Sequence, residues 1–361
     1  MSTAEATDPR PNGADGQRLV TGARTDETTE QRRVQWLAER KKYLTATDAA
    51  KVLGLSPYGD AVDVWLEKTG RDGAEFVETA EMRRGRRRES IVLDQYEETE
   101  LVTLTRPLPY TLVASEKIPL LAFSPDALRG SLGSSLIPVD AKTARWADPT
   151  MWGEDGSDEF PIHYAIQLHV QMIVLGAEIA HLPTEFGGDE YRCYHLGSTP
   201  SRRDGLVELL GAWWQKHVVE DTQPAPTGSK SYADYLKRVY PRHDAGIAVD
   251  VRGDPALDAL GPRFDSLRDA VKALEAERDE VGNQIRNAMG SAEVLQGSIW
   301  GATWKNNKDS EKLDAAGAVQ DFQRLAAANG WLDEWRTVVR QRTTKQRGAR
   351  TLRVTLKSGK A

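Results

Sequence analysis

The sequence predicts an α/β fold followed by a C-terminal extension of helix and short strands. Three observations predict it: an amphipathic helical pattern near residues 79–98, a hairpin pattern centred on Gly133, and a second hairpin pattern over residues 179–196. A chain of 361 residues is long enough for one large or two ordinary domains. Its 28% charged and 39% hydrophobic residues read as globular. A net charge of -6 gives no global attraction to nucleic acid, so any such contact must come from a local basic patch. One cysteine, Cys193, excludes an internal disulfide framework and a cysteine-rich zinc or iron–sulfur site. No apolar run approaches a membrane span and no signal-peptide core opens the chain, so the expected location is the cytoplasm, with no membrane partner.

Residues 1–30 are polar and rich in Gly, Pro, Thr and Asp, and are expected to be a disordered tail. A helix then ends near Lys42 and a short one follows, with Thr47 as N-cap of Asp48 to Leu53 and Gly54 closing it. A helix N-terminus attracts anions, and Arg40 supplies a guanidinium nearby. In the next helix, Met82, Gly85, Glu89, Val92, Leu93 and Tyr96 share one face by spacing. Burying an unpaired carboxylate costs several kcal/mol, so Glu89 should meet a cation. Gly85 costs about 1 kcal/mol relative to alanine and suggests close approach of another group. Arg83, Arg84, Arg86, Arg87 and Arg88 surround that face with charge suited to phosphates, unless they pair with Glu81, Glu97 and Glu98.

The hairpin carries the chemistry. Pairing about Gly133 sets Asp126 opposite Asp140, and Gly130, Ser131, Gly133, Ser134 and Ser135 are loop formers where that register needs a loop. Side-chain alternation puts Asp140 and Lys142 on one face while Ala141 points away and leaves its carbonyl free. Two carboxylates and a carbonyl suit a hard cation such as Mg2+.

Pro161 and Gly176 bracket a helix with His163, Gln167 and Gln171 as a polar stripe, able to hold a water or a phosphate oxygen, on an otherwise half-exposed helix. Strands Ile179 to Phe186 and Tyr191 to Leu196 flank a Gly-Gly-Asp turn. Trp213 and Trp214 lie in a further helix as packing groups, and residues 224–230 read as a linker. Beyond it, Phe264, Leu267, Val271, Leu274, Val281 and Ile285 follow a heptad-like spacing interrupted by Arg278. They predict a long amphipathic helix packed on its own domain or, less favourably, on another subunit. Strands are expected after it, including TLRVTLK, and the basic stretch from Arg340 to Lys360 either touches DNA or is simply solvated.

Pro125 and Asp126 with Asp140, Ala141 and Lys142 resemble the PD-(D/E)XK nuclease superfamily, whose restriction-endonuclease-like core is a central mixed sheet flanked by helices. Trp36 and Arg40 before a TATD segment, then GRRRE, SPD, DAK and HYAIQLHVQMIVLG, stand in the order of its lambda-exonuclease branch, the YqaJ-like viral recombinases. The resemblance covers roughly residues 31–200. It implies domains at 1–30 (tail), 31–227 (exonuclease core) and 228–361 (extension). It also implies a 5′-to-3′ exonuclease on double-stranded DNA ends that leaves 3′ single-stranded overhangs for a single-strand annealing protein. The implied catalytic set is Glu89, Asp126, Asp140, Lys142 and Gln167. Asp126, Asp140, the Ala141 carbonyl and Glu89 would hold two Mg2+ ions, Mn2+ being an alternative, and Arg40 and Thr47 would bind the 5′ phosphate. A homo-oligomer, a trimeric ring around DNA, is a further implication. Thr47 stands where the family often has Ser, and Asp140 where it often has Glu or Asp; both keep the functional atom, although the shorter Asp must reach further. From about residue 240 the chain departs from the lambda enzyme. An endonuclease with the same metal site, or a non-catalytic DNA-binding recombination protein, are the alternative readings.

Overall fold

The computed structural model describes residues 17–22, 26–71, 79–130, 136–145, 148, 150–298, 300–306 and 314–342. The chain divides into one unit ending at Val239 and a second beginning at Tyr240.

The first unit opens with strand β1 (Gln17–Thr21) and helix α1 (Thr29–Arg40), whose start is fixed by a capping box between Thr28 and Gln31. Then come β2 (Leu44–Thr45), α2 (Ala46–Val52), α3 (Ala61–Lys68) and the long α4 (Ala80–Glu100). Six short strands follow: β3 (Leu104–Thr105), β4 (Leu112–Ser115), β5 (Leu121–Phe123), β6 (Ala127–Arg129), β7 (Ile137–Val139) and β8 (Lys142–Ala144). Helix α5 (Ile162–Leu175), the hairpin β9 (Ile179–Phe186) and β10 (Glu190–Gly197), α6 (Pro200–Trp214) with a π-helical turn at Gln215–Val219, and α7 (Lys230–Val239) complete it.

Two sheets result. The smaller runs β1-β4-β5-β2; the larger runs β10-β9-β7-β6-β3, with β8 extending the line of β7 along β9. The larger sheet is mixed, since β7 and β8 are parallel to β9 while β6 and β10 are antiparallel to their neighbours. Its alternation is clean. Leu128, Leu182, Phe186 and Tyr194 face the main core with α5, whereas Ala127, Val139, Ala141 and Cys193 face Leu93 and Tyr96 of α4.

Helix α5 ends as its sequence indicates, with Gly176 in the left-handed conformation at φ 68. It is not half-exposed, however: Leu168, Val170, Gln171, Met172, Val174 and Leu175 are all buried, each aliphatic chain contributing ~1.5–3 kcal/mol. The side of Ile162, Ile166, His169 and Ile173 stays partly open to solvent. On α4 the apolar stripe holds only for Val92, Leu93 and Tyr96, while Met82 lies 48% exposed beyond the sheet's reach.

Other expectations need correction. Gln17–Thr21, placed in a disordered tail, pairs antiparallel with β4 and is anchored by Gln17 donating to the Leu175 carbonyl at 2.7 Å. A non-local strand partner satisfies backbone groups that composition alone leaves unassigned; residues 1–16 lie outside the described residues. The segment 224–230 is not a free linker. Thr227 and Ser229 donate to Asp60, and Tyr232 and Tyr235 of α7 pack with Val62, Trp65 and Leu66 of α3. Helix α7 therefore belongs with the first unit, which extends past residue 227. Trp213 and Trp214 pack against the core.

The second unit contains α8 (Pro255–Asp258), the long helix α9 (Leu260–Met289), a hairpin of β11 (Val294–Gln296) and β12 (Gly301–Thr303), α10 (Ala315–Ala328) and α11 (Leu332–Arg342). The long helix is as expected, but Phe264, Leu267, Val271, Leu274 and Val281 are each 47–65% exposed, so no described residue of its own unit covers the stripe. The hairpin supplies strands expected after the long helix and two further helices follow it, while TLRVTLK and the basic stretch beyond Arg342 lie outside the described residues. Among the described residues no helix is long and apolar enough to cross a membrane.

Candidate active site

The hairpin register is the one the sequence indicates. Ala127 faces Val139, Leu128 faces Pro138 and Arg129 faces Ile137, which sets Asp126 across from Asp140. The loop formers from Ser131 to Ser135 lie outside the described residues. Between β7 and β8 the strand is interrupted at Asp140 and Ala141, yet both halves keep one register on β9: Val139 pairs with His181 and Lys142 with Thr184. The Asp140 amide donates to the His181 carbonyl at 3.0 Å. The Ala141 amide instead donates to Asp126 Oδ2, also at 3.0 Å. A side-chain carboxylate thus takes the place of a ladder acceptor, which ties the two acidic segments together at their closest point.

Asp140 is 2% exposed and fully engaged. Its Oδ1 accepts from Gln167 Nε2 at 2.9 Å and from Gln171 Nε2 at 2.7 Å. Its Oδ2 faces the Lys142 ammonium in an ion pair. The two glutamines of the polar stripe therefore turn toward a carboxylate of the chain rather than toward a water or a phosphate. Gln171 was legible as a stripe member, at four residues from Gln167, but not as a partner of Asp140. His163 does not join them; its ring lies against Tyr58 and Tyr164, at 5.6 and 4.0 Å between centroids. Lys142 Nζ sits 5.5 Å from the centre of the Tyr164 ring.

Glu89 reaches this group from α4. Burial pushes its carboxyl above the usual range; the Lys142 ammonium works against that and the Asp140 charge adds to it. Asp126 is driven well above the usual range by burial first and by Asp140 second, against the pull of Lys142. For Lys142, burial pulls downward, but Asp140 and Asp126 outweigh it and hold the amine above the ordinary lysine range. Three carboxylates thus share one ammonium. Of the cations near Glu89, Lys142 acts most strongly and Arg86 less so, and Lys142 does not suffice for all three carboxylates.

The arginines of α4 do not pair with Glu81, Glu97 and Glu98 as a set. Arg88 forms a two-point ion pair with Glu185, Arg86 donates to the Tyr110 hydroxyl at 3.2 Å, and Glu97 binds Arg106. Arg83, Arg84, Arg87 and Arg88 line an open recess of about 500 Å³ with Ala80 and Ile91. Among the described residues no atom outside its own helix comes within 4 Å of where a Gly85 side chain would start, so no close neighbour among them accounts for that glycine.

Thr47 is not the cap of α2. That role falls to Thr45, whose amide and hydroxyl both donate to Asp48 Oδ2 at 3.0 and 2.7 Å, leaving Thr47 exposed on the first turn. Arg40 lies 4.6 Å over the Trp36 ring and beside Glu67 and Asp48, at 3.3 and 3.8 Å. Trp36 Nε1 in turn donates to Ser124 Oγ at 2.7 Å, two residues before Asp126. Buried Asp48 also binds Lys68 Nζ at 2.7 Å; burial raises its pKa, but Lys68 and Arg40 together bring it below the usual range.

The chain is 24% identical over 295 residues to the uncharacterized protein YqaJ of Bacillus subtilis (strain 168), covering 79% of this chain and 88% of that one. Among solved structures, the alkaline exonuclease LHK-Exo of Laribacter hongkongensis is similar at 18% identity and a TM-score of 0.40, over 58% of this chain and 98% of that one. Its complex with dAMP gives 17% identity and a TM-score of 0.41 over the same shares. The model of the YqaJ-like viral recombinase domain matches residues 35–178, a span that begins one residue before Trp36 and takes in Glu89, the hairpin and helix α5.

Proposed function

We propose that the protein is a divalent-metal-dependent nuclease of the PD-(D/E)XK type that degrades one strand of duplex DNA from the 5′ end. It leaves 3′ overhangs for recombination by strand annealing. The observation that carries this reading is the group of Glu89, Asp126 and Asp140 around the single ammonium of Lys142. With all three carboxylates ionised, their charge exceeds that of the Lys142 ammonium by two, which fits a divalent cation, and all-oxygen donors fit Mg2+ or Mn2+. Asp126, Asp140 and the Ala141 carbonyl would hold one ion and Glu89 would help hold a second. Ions bound there would polarise the scissile phosphate and make water a better nucleophile at neutral pH.

The chain's own groups divide the remaining work. Gln167 and Gln171 fix Asp140 through Oδ1. Lys142, held protonated by its carboxylate neighbours, orients the attacking water and carries positive charge to the phosphate. Arg40, joined through Trp36 and Ser124 to the segment of Asp126, grips the 5′ phosphate together with the exposed Thr47. Arg84 and Arg87 at the recess on α4 contact the duplex backbone.

End-labelled linear duplex with and without a 5′ phosphate, beside closed circles, tests the reading in one time course with Mg2+. Release from phosphorylated 5′ ends, with circles intact, is expected. Lys142→Ala should abolish release while leaving binding to duplex DNA largely intact. Cutting of closed circles would instead indicate an endonuclease, and binding without degradation by the unaltered protein would indicate a non-catalytic role.

A further inference from the structure

On the other face of the same sheet, His181, Cys193 and His195 stand together. Their placement follows from strand geometry. His181 and His195 are paired directly across β9 and β10, and Cys193 is two residues from His195, so all three side chains leave the sheet on one side. The two imidazole rings stack at 4.3 Å between centroids, with 26° between their planes. One ligand atom from each of the three residues lies within 4.8 Å of the other two.

Two further observations point to a ligand. His195 Nε2 is buried and has no hydrogen-bond partner, a state that costs about 1–3 kcal/mol in a protein interior. His181 has the support that metal-binding histidines usually have. Its Nδ1 lies 2.6 Å from the Tyr96 hydroxyl, which also accepts from Arg129 Nη1 at 3.0 Å, and Arg129 is paired with Glu100. In the tautomer with the proton on Nδ1, donated to the Tyr96 oxygen, His181 offers its Nε2 lone pair for coordination.

We propose that His181, Cys193 and His195 form a transition-metal site for a borderline-soft divalent ion of the Zn2+ class, separate from the carboxylate site. One thiolate and two imidazoles suit such an ion and not Mg2+, which takes oxygen ligands. Bond lengths of about 2.0–2.1 Å to nitrogen and about 2.3 Å to sulfur set tetrahedral ligand atoms roughly 3.3–3.6 Å apart, so side-chain rotation must bring the three atoms, now within 4.8 Å, closer together. Cys193 binds as thiolate, so uptake releases its proton to solvent. A fourth position remains for water. The site would also clamp β9 to β10 directly behind the strand on which Asp140 hydrogen-bonds.

The single cysteine makes the test specific, because any metal–thiolate signal must come from Cys193. The full-length protein, held in excess Mg2+ to occupy the carboxylates, is titrated with Co2+ and then with Zn2+. A thiolate-to-cobalt charge-transfer band that saturates at one equivalent and is displaced by Zn2+ is expected. Cys193→Ser should lose the band, and His195→Gln, at a half-buried position, should weaken Co2+ binding by ~10-fold or more, each folded by circular dichroism. A folded unaltered protein with no band at saturating Co2+ overturns the site. A band of unchanged affinity in His195→Gln overturns the three-ligand set.

Discussion

The two amides on Asp140 Oδ1 are not equivalent, and their difference can be measured. Gln171 is 2% exposed and donates at 2.7 Å, whereas Gln167 is half-buried and donates at 2.9 Å. Methionine nearly matches glutamine in volume and removes the donor. In Gln167→Met water can take the vacated position, so the net loss should be that of an ordinary hydrogen bond, ~0.5–1.5 kcal/mol. In Gln171→Met no solvent reaches the site, and the loss should approach that of a bond to a charged group, ~1.5–3 kcal/mol. Replacing both leaves a buried carboxylate oxygen with no donor, for which ~3–5 kcal/mol is expected, more than the two single changes together when each falls near its lower bound. Urea unfolding of the four proteins without divalent ions reads these values directly. A displaced Asp140 should also slow the proposed cleavage by ~10–100-fold. If Gln167→Met costs as much as Gln171→Met, or if Gln171→Met lies within ~0.5 kcal/mol of the unaltered protein, the account of Asp140 is wrong.

Two other outcomes follow from the same geometry. Asp126 and Glu89 have folded pKa values above their unfolded ones, so their contribution to stability is full below the ordinary carboxylate range and is lost as pH rises through the raised values. Mg2+ should offset that loss, so the rise in Tm on adding Mg2+ should be larger at about pH 8 than at about pH 5, reaching about 2.7 kcal/mol of stabilisation at 100 times Kd. An equal or larger rise at the lower pH, or an Asp126→Asn variant that keeps the trend, contradicts it. Ending the chain at residue 227 removes Tyr232 and Tyr235 from Trp65 and should destabilise the first unit by at least ~3–5 kcal/mol, whereas ending it at Val239 should leave its Tm nearly unchanged. Calorimetry of the two truncations decides this.

The residues that carry local rules were legible in the sequence, and those that depend on docking were not. The Asp126–Asp140 register followed from symmetry about a loop, and helix α5 from its proline and glycine ends. The spacing of Gln167 and Gln171 placed them on one face, but only the packing of α5 on the sheet aims that face at Asp140. Thr45 is legible as the cap, since Thr45 and Asp48 have the spacing of a capping box, a stronger signal than Thr47 alone. Strand β1 owes its order to β4, nearly a hundred residues away, and no local pattern reports such a partner. The pairing of Arg88 with Glu185 and the grouping of His181 with Cys193 and His195 are likewise products of strand order.

The alignment of Asp126 with Asp140 is set by three facing pairs, the innermost Arg129 with Ile137, together with the amide of Ala141. None of these involves the connection from Gly130 to Leu136. That connection can therefore lengthen or shorten in related chains while the two acids stay opposite each other, whereas a single inserted residue within either strand would turn one acid to the opposite face. The number of residues between the two carboxylates is thus free to drift. Relatives that share this site are identified by strand pairing, and a pattern of fixed spacing will overlook them.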